Sequence, residues 1–495
     1  MSFVYLVEGE KEFNTYPGLE YSFSPSKTYP EYPFEEDCLS EEENVVYEQM
    51  RELFHVAEYD NEHYGTSSWN PFGDFIKLGD TVLIKPNWVE NKNHNKDVDD
   101  NLACLVTNPS VIRVIVDYVY IALKGTGKII IGDAPMQGCD LEDMFRIVGY
   151  PKLFDFYKKN GVEIEIQDFR KYSKKTITKG VLSSPVLTKN SAGYLLVDLG
   201  DKSCHREKDE MHPVYKVSDY TQEMTADYHS EGHHRYEVNR ISLMADVIIN
   251  VPKPKTHRLA GMTAAVKNFV GITYEKACLP HRIEGDKAHG GDAYLKTSWW
   301  KEKMHYFDEK RTRYSIAGKY YLSRLNDLFM KTCYVMSLTF GADKYRIGSW
   351  YGNDTIWRTS IDLNYVLNYA NKDGKVEDTK QRKIITIADM FICGQKDGPV
   401  SPIPKELGMV MMSDNNLLFD WTMCKIMGFD QHKLPMLAND ISYKKMGYES
   451  ERELKAEKIR FVSGSSYLDS CVDDFEPKDD WAFEAHTCWK GHVEK

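Results

Sequence analysis

Residues 245–273, ADVIINVPKPKTHRLAGMTAAVKNFVGIT, decide the fold. Val247, Ile248 and Ile249 form an unbroken β-branched run, the pattern of a strand buried on both faces. Pro252 and Pro254 then end its ladder, because proline donates no hydrogen bond and forces its predecessor to extend. Beyond the strand end come Lys253, Lys255, His257 and Arg258, then Gly261, Lys267, Asn268 and Gly271. Cations and small residues gathered where a buried strand ends predict a place built to hold an anion.

Working outward, the same arrangement recurs on either side. Residues 81–85, TVLIK, read as a core strand followed by Pro86, Asn87 and Trp88. Asn108-Pro109-Ser110 opens a helix with Val111, Val114, Ile115, Tyr118 and Val119 at helical spacing. Residues 128–131 are the next strand, running into Gly132 and Asp133. Strand, helix and strand in close succession make a βαβ unit, so the expected class is α/β with a largely parallel sheet flanked by helices. Residues 141–160 read as a helix and 162–166 as a strand. On the far side, 353–369 is a helix, 383–389 a strand ending at Asp389, 407–412 a strand and 417–427 a helix, with a glycine-proline loop around Gly398 between the strands.

The expected organisation is an N-terminal extension over 1–75, an α/β core over 76–430 and a tail over 431–495. Two insertions interrupt the core, at about 171–240 and 274–345. The first is lysine-rich and then histidine-rich, with a short strand at 194–199; its His229, His233 and His234 include a pair at helical i, i+4 spacing and are a weak metal candidate.

Composition narrows the function classes. With 63 Lys and Arg against 75 Asp and Glu, the formal charge of −12 argues against a general nucleic-acid binder while leaving room for a local basic pocket. No apolar run is long enough to span a bilayer, so no membrane partner is expected. The opening MSFVYLVEGEKEF has no basic region and reaches Glu8 and Glu10 at once, so it does not read as a signal peptide, and a cytoplasmic location is the default expectation. The ten cysteines include no C-x-x-C pair, which disfavours a ferredoxin-type cluster or a zinc ribbon.

Four strand ends carry chemistry-bearing residues: Lys85 with Asn87, Gly132 with Asp133, Lys253 with Lys255 and His257, and Asp389 with the Gly398 loop. In open parallel sheets such ends line the ligand crevice. Lys85, His257 and Lys267 are the candidate catalytic groups. Asn87, Gly132, Lys253, Lys255, Asn268 and Gly398 are candidates for substrate binding, and a helix starting near Gly261 would add amide donors for an anion. Asp133 and Asp389 could hold a divalent metal or cap a helix. His281, His289 and Asp292 form a weaker metal candidate in a glycine-rich loop. The chain contains no G-x-G-x-x-G fingerprint, P-loop or G-x-S-x-G elbow.

Five blocks together carry a resemblance: TVLIKPNWV, TNPSVIRVIVDYV, IIIGDAPM, the 245–273 stretch, and ITIADMFICGQKDGPVSPIP with its continuation. They resemble the successive blocks of the domain of unknown function 362 family over about residues 80–430. The central K-x-K-T-H, then K-N and Gly, is matched by Lys253, Lys255, Thr256, His257, Lys267, Asn268 and Gly271. The last block is matched by Asp389, Gly398, Pro399 and Asp420. The resemblance implies a mixed α/β fold and a site lined by lysine and aspartate. Many members carry an appended iron–sulfur ferredoxin module, and this tail, with Cys471 and Cys488, lacks the cysteines for one.

The sequence thus predicts an enzyme acting on an anionic small molecule, phosphorylated, nucleotide-linked or carboxylated, in a cleft lined by Lys and Asp. Cofactor, reaction and oligomeric state stay open. Two other readings stand beside it. One is a redox metal or iron–sulfur protein using Cys104, Cys139, Cys278 and Cys393. The other is a ligand-binding protein without catalysis.

Overall fold

The computed structural model describes residues 2–9, 15–35, 38–98, 102–178, 181–190 and 192–495. Its centre is an eleven-stranded mixed sheet. In chain order the strands are β1 (Phe3–Glu8), β2 (Thr81–Lys85), β3 (Lys128–Asp133), β4 (Ile164–Asp168), β5 (Val247–Asn250), β6 (Lys255–His257), β7 (Gly261–Thr263), β8 (Lys383–Asp397), β9 (Ser401–Ser413), β10 (Lys458–Ser463) and β11 (Ser466–Cys471). Across the sheet the order is β11-β10-β1-β9-β8-β5-β2-β3-β4, with β6 joined to both β7 and β8.

From β8 to β4 every pairing is parallel. β5 lies centrally, its four residues buried, with Val247 in register with Val82 on one side and Lys383 on the other. An unbroken β-branched run is what such a position requires. Alternate residues face two layers: Val82, Ile84, Ile129, Ile131 and Ile249 join one apolar cluster, and Leu83, Ile130 and Ile248 another.

The helices that matter here are α1 (Val45–Val56), α2 (Pro109–Leu123), α3 (Leu141–Val148), α4 (Tyr150–Lys159), α5 (Ala265–Asn268), α6 (Trp299–Ile316), α7 (Tyr320–Thr339), α8 (Ile356–Tyr369) and α9 (Asn416–Ile426). α2 starts as its sequence predicts, with the Asn108 side chain accepting from the Ser110 amide and Pro109 in the first turn. The expected helix over 141–160 is two helices, broken at Gly149, whose φ of 93° is open to glycine, just ahead of Pro151.

Both chain ends enter the sheet. β1 lies between β9, antiparallel, and β10, parallel, so the first strand is interior to the sheet rather than part of a separate extension. The strand expected over 383–389 continues to Asp397 and turns back antiparallel as β9, with a bulge between Met390 and Ile392. Gly398 stands in that turn because a Cβ there would meet the Thr256 carbonyl oxygen at 2.0 Å. The expected helical pair of histidines is instead a β-hairpin in which His229 lies opposite His234.

Candidate functional site

β8, β5, β2 and β3 are four adjacent parallel strands, so the ends that carry Lys85, Asp133 and the Lys253 loop lie along one margin of the sheet. The Val251 amide donates to the Lys85 carbonyl and the Asp389 amide to the Pro252 carbonyl, which fixes the loop between its neighbours.

Two buried ion pairs anchor this margin. Lys85 Nζ lies 2.7 Å from Asp133 Oδ1, with both side chains sealed from solvent. Asp133 also accepts from the Trp88 and Ala134 amides at 2.6 and 2.8 Å. Gly271 lies against the pair: a Cβ there would stand 1.9 Å from Asp133 Oδ1 and 2.7 Å from Lys85 Nζ. In the second pair, Lys253 Nζ lies 2.8 Å from Asp389 Oδ2. Tyr16, from the N-terminal segment, donates to Asp389 Oδ1 at 2.6 Å, and the Asn108 amide to Oδ2 at 2.8 Å. Burial raises the Asp133 carboxyl above its ordinary range, opposed by the Lys85 charge, and burial likewise lowers the Lys85 amine. The carboxylates expected to hold a metal are thus matched to lysines and backbone amides.

Several predicted contacts turn inward. Lys255 is fully buried and donates to the Asn87 side chain. Burial, with the nearby Lys253 charge, lowers its amine to about 7. The Asn268 amide donates 2.8 Å to Asn250 Oδ1 and 3.3 Å to the Lys85 carbonyl, acting as a brace. Gly132 is packed against the Phe169 ring, which a Cβ would meet at 2.4 Å. The helix expected to begin near Gly261 starts at Ala265 after the strand β7, and has only four residues. Its first amides, of Ala265 and Val266, donate to Asp420 at 2.7 and 3.2 Å, so they are not offered to an anion. Burial pushes the Asp420 carboxyl up to about 8.

What remains open is a group of cations. Lys267, Arg258 and Lys276 are each half-buried. The side chains of Lys267 and Arg258 make no hydrogen bond or ion pair among the described residues, and Lys276 donates 2.8 Å to the Ala134 carbonyl. Burial lowers the Lys267 amine to about 8, helped by the Lys276 and Arg258 charges, and lowers Lys276 to about 8 as well. The Arg258 guanidinium is also depressed, by burial and by Arg346 and Arg282, although Asp219 works the other way.

Histidines kept neutral surround these cations. His257 Nδ1 accepts from the Leu259 and Ala260 amides at 3.1 and 3.2 Å, which assigns the ring proton to Nε2. Burial, then the Lys267 and Arg258 charges, hold His257 well below its ordinary pKa. The same influences bring His281 to about 3, and His486 falls to about 4 through burial. The C-terminal tail adds to this wall: Trp489 donates to the Arg258 carbonyl at 3.0 Å and packs on Gly261. Arg258 stands among the cations that the sequence gathers past the strand end, without a role of its own, whereas Lys276, His486 and Trp489 are not site candidates from sequence. Arg258 had a signal in its place beside His257, whereas the tail residues meet the site only through the fold.

The other metal candidates separate. His281 Nδ1 faces the Leu279 carbonyl at 2.6 Å, His289 pairs with Asp286 at 3.0 Å, and Asp292 accepts from the Ile283 and Asp354 amides. His229 and His234 are buried beside His205, whereas His233 is exposed and bonds Asp198. Cys104 and Cys393 both lie near Lys253 and Lys255, while Cys139 adjoins Glu90 and Arg170, and Cys278 bonds the Glu275 carbonyl. Among the described residues no three His, Cys, Asp or Glu side chains gather as a metal-binding group. A surface cavity of about 600 Å³ lined by Glu451, Arg452, Lys455, Cys471 and Asp473 lies by β11 and outside this margin.

Fold and site together define an α/β protein with two buried Lys–Asp pairs at its parallel strand ends and a group of half-buried cations beside them. The chain belongs to the family described as Domain of unknown function (DUF362), whose model matches residues 82–191 and 206–425. A comparison with curated proteins finds no match. Among solved structures, a crystal structure of a protein from Thermotoga maritima is similar at 11% identity, with a TM-score of 0.25. That alignment covers 72% of this chain and 54% of the other, so the chain spans about half the length of that protein. A likeness of this order says nothing about function.

Proposed function

We propose that the protein is an enzyme acting on an anionic small molecule, phosphorylated, nucleotide-linked or carboxylated, held by Lys267, Arg258 and Lys276. The observation that carries this reading is the pair of half-buried cations, Lys267 and Arg258, neither of which forms an ion pair among the described residues. An enclosed charge is costly unless paired, and the ligand is the natural partner here. Arg258 supplies a planar fork that matches carboxylate or phosphate oxygens, and the two ammonium groups supply point charges.

Within that site the proton-transfer role falls to Lys267. With its amine lowered to about 8, it exchanges a proton near neutral pH, as a general base, acid or amine nucleophile must. His257 is held neutral with its proton on Nε2, so it serves as a hydrogen-bond donor rather than as the base. Lys85 and Lys253 support the loop through their carboxylates instead of meeting substrate.

The test is to incubate the protein with pooled phosphorylated, nucleotide and carboxylated metabolites and follow each by mass spectrometry. Consumption of one by the wild type and not by Lys267→Met supports the reading. Tight retention of a compound without turnover would assign a binding protein instead, and equal turnover by the variant would remove Lys267 from the chemistry.

A further inference from the structure

The hairpin of α6 and α7 is turned inside out. Ser323, Asn326, Asp327, Cys333 and Ser337 of α7 are buried, whereas Tyr321, Leu325, Leu328 and Val335 are exposed. Tyr321 is 82% exposed, and Leu328 and Val335 59% each, values that a helix packed by its apolar face would not show. Positions 321, 325, 328, 332 and 335 recur at helical i+3 and i+4 steps and so share one face. On α6, Trp299 and Tyr306 are exposed too. Contiguous apolar surface of this kind marks a contact site.

The charge around this face selects the partner. The exposed ionic side chains of α7 are Arg324 and Lys331, and its single acid, Asp327, is turned inward against Lys331. In the segment over 171–190, Lys175 and Lys189 are exposed together with Ile177, Val186 and Leu187, whereas Lys174 is buried and Lys171 faces Glu237 and Glu275. The segment is tied to the hairpin turn, where the Ser184 amide donates to Tyr320 at 3.0 Å and Ser315 to the Leu182 carbonyl at 2.5 Å. Lys175, Lys189, Lys319 and Arg324 are exposed and form no ion pair among the described residues, against the exposed Glu302, while Lys171, Lys301, Arg311, Arg313 and Lys331 are paired with carboxylates. A second copy docking two-fold on this hairpin would bring the unpaired Lys319 and Arg324 toward their own kind. An anionic lipid surface accepts both the apolar stripe and the basic rim.

We propose that the α6–α7 hairpin, with the adjoining Lys175, Ile177, Val186, Leu187 and Lys189, docks peripherally on an anionic lipid surface. No helix among the described residues is long and apolar enough to cross a membrane, so the contact is with the interface. The sequence expectation of no membrane partner rested on the lack of a spanning run, and that criterion is silent about surface binding.

The experiment is co-sedimentation of the full chain with vesicles of phosphatidylcholine mixed with phosphatidylglycerol, and with phosphatidylcholine alone. Binding to the anionic vesicles is expected, weakened by more than about tenfold at high salt or by Leu325→Glu with Leu328→Glu. Lys319→Gln with Arg324→Gln should weaken it by a smaller factor while leaving the apolar stripe intact. All these side chains are exposed, so circular dichroism and melting should match the wild type. Absence of binding to anionic vesicles would overturn the proposal, as would binding indifferent to the glutamate substitutions. A wild-type dimer that the same substitutions dissolve would assign the face to a second copy and overturn it equally.

Discussion

Lys267 stands apart from its neighbours because the rest of its sequence block is used internally. Lys253 pairs with Asp389, Lys255 holds Asn87, Thr256 donates to the Lys396 carbonyl, Asn268 braces the Lys85 carbonyl and Gly271 admits the Lys85–Asp133 pair. A cation left enclosed and unpaired costs stability in the free protein, so Lys267→Met should abolish anion binding while raising stability near neutral pH by about 1–3 kcal/mol, read by thermal or urea unfolding. The pH sign follows from the lowered amine. Between about 8 and the ordinary lysine value the unfolded chain binds the extra proton, so this group's contribution to stability rises with pH across that window. Anion binding should run the other way, weakening as pH rises through about 8 and Lys267 and Lys276 lose their charge, which titration at several pH values checks. The lysines themselves were legible in the sequence. Which of them would be free was not, because Lys85, Lys253 and Lys267 all follow buried apolar runs and differ only in whether a carboxylate arrives from elsewhere.

At the scale of elements, the strand ends are held by the two buried pairs and by the glycines that make room for them. Asp133→Asn should cost about 3–5 kcal/mol by leaving Lys85 buried without its partner. Gly271→Ala should cost about 1–3 kcal/mol by crowding the same pair, and urea denaturation measures both. The parallel core was readable from its apolar runs, since 247–249, 82–84 and 129–131 are unbroken apolar stretches bounded by polar residues or glycine. The β8–β9 hairpin was read too short, because Gln395 and Lys396 look like loop residues yet continue a ladder in which Gln395 faces Ile403. The helix at 265–268 was misplaced because the glycine at 261 and the small residues after it suit a strand and a tight turn as well as a helix. Asp420, distant in sequence, closes that helix start.

Across the whole molecule, the two chain ends complete what the middle begins. β1 fills the gap between β9 and β10, and Tyr16 reaches the Lys253–Asp389 pair. Deleting residues 1–9 should open two strand edges and give an aggregating protein without a cooperative melt, seen by calorimetry and gel filtration. Tyr16→Phe should be milder, near 1–3 kcal/mol, from loss of the hydroxyl that donates to the buried Asp389 carboxylate and accepts from Lys253 and the Ile392 amide. No composition or spacing rule links a first strand to a last one, which is why the terminal segments read as an extension and a tail. The central claim is narrower than the fold: the enclosed cations form an anion site with Lys267 at its centre. Calorimetric titration of the wild type and Lys267→Met with inorganic pyrophosphate near neutral pH tests it most directly. Saturable binding by the wild type, absent in a variant that melts no lower, is the result predicted. No binding by the wild type, or equal binding by the variant, would contradict it.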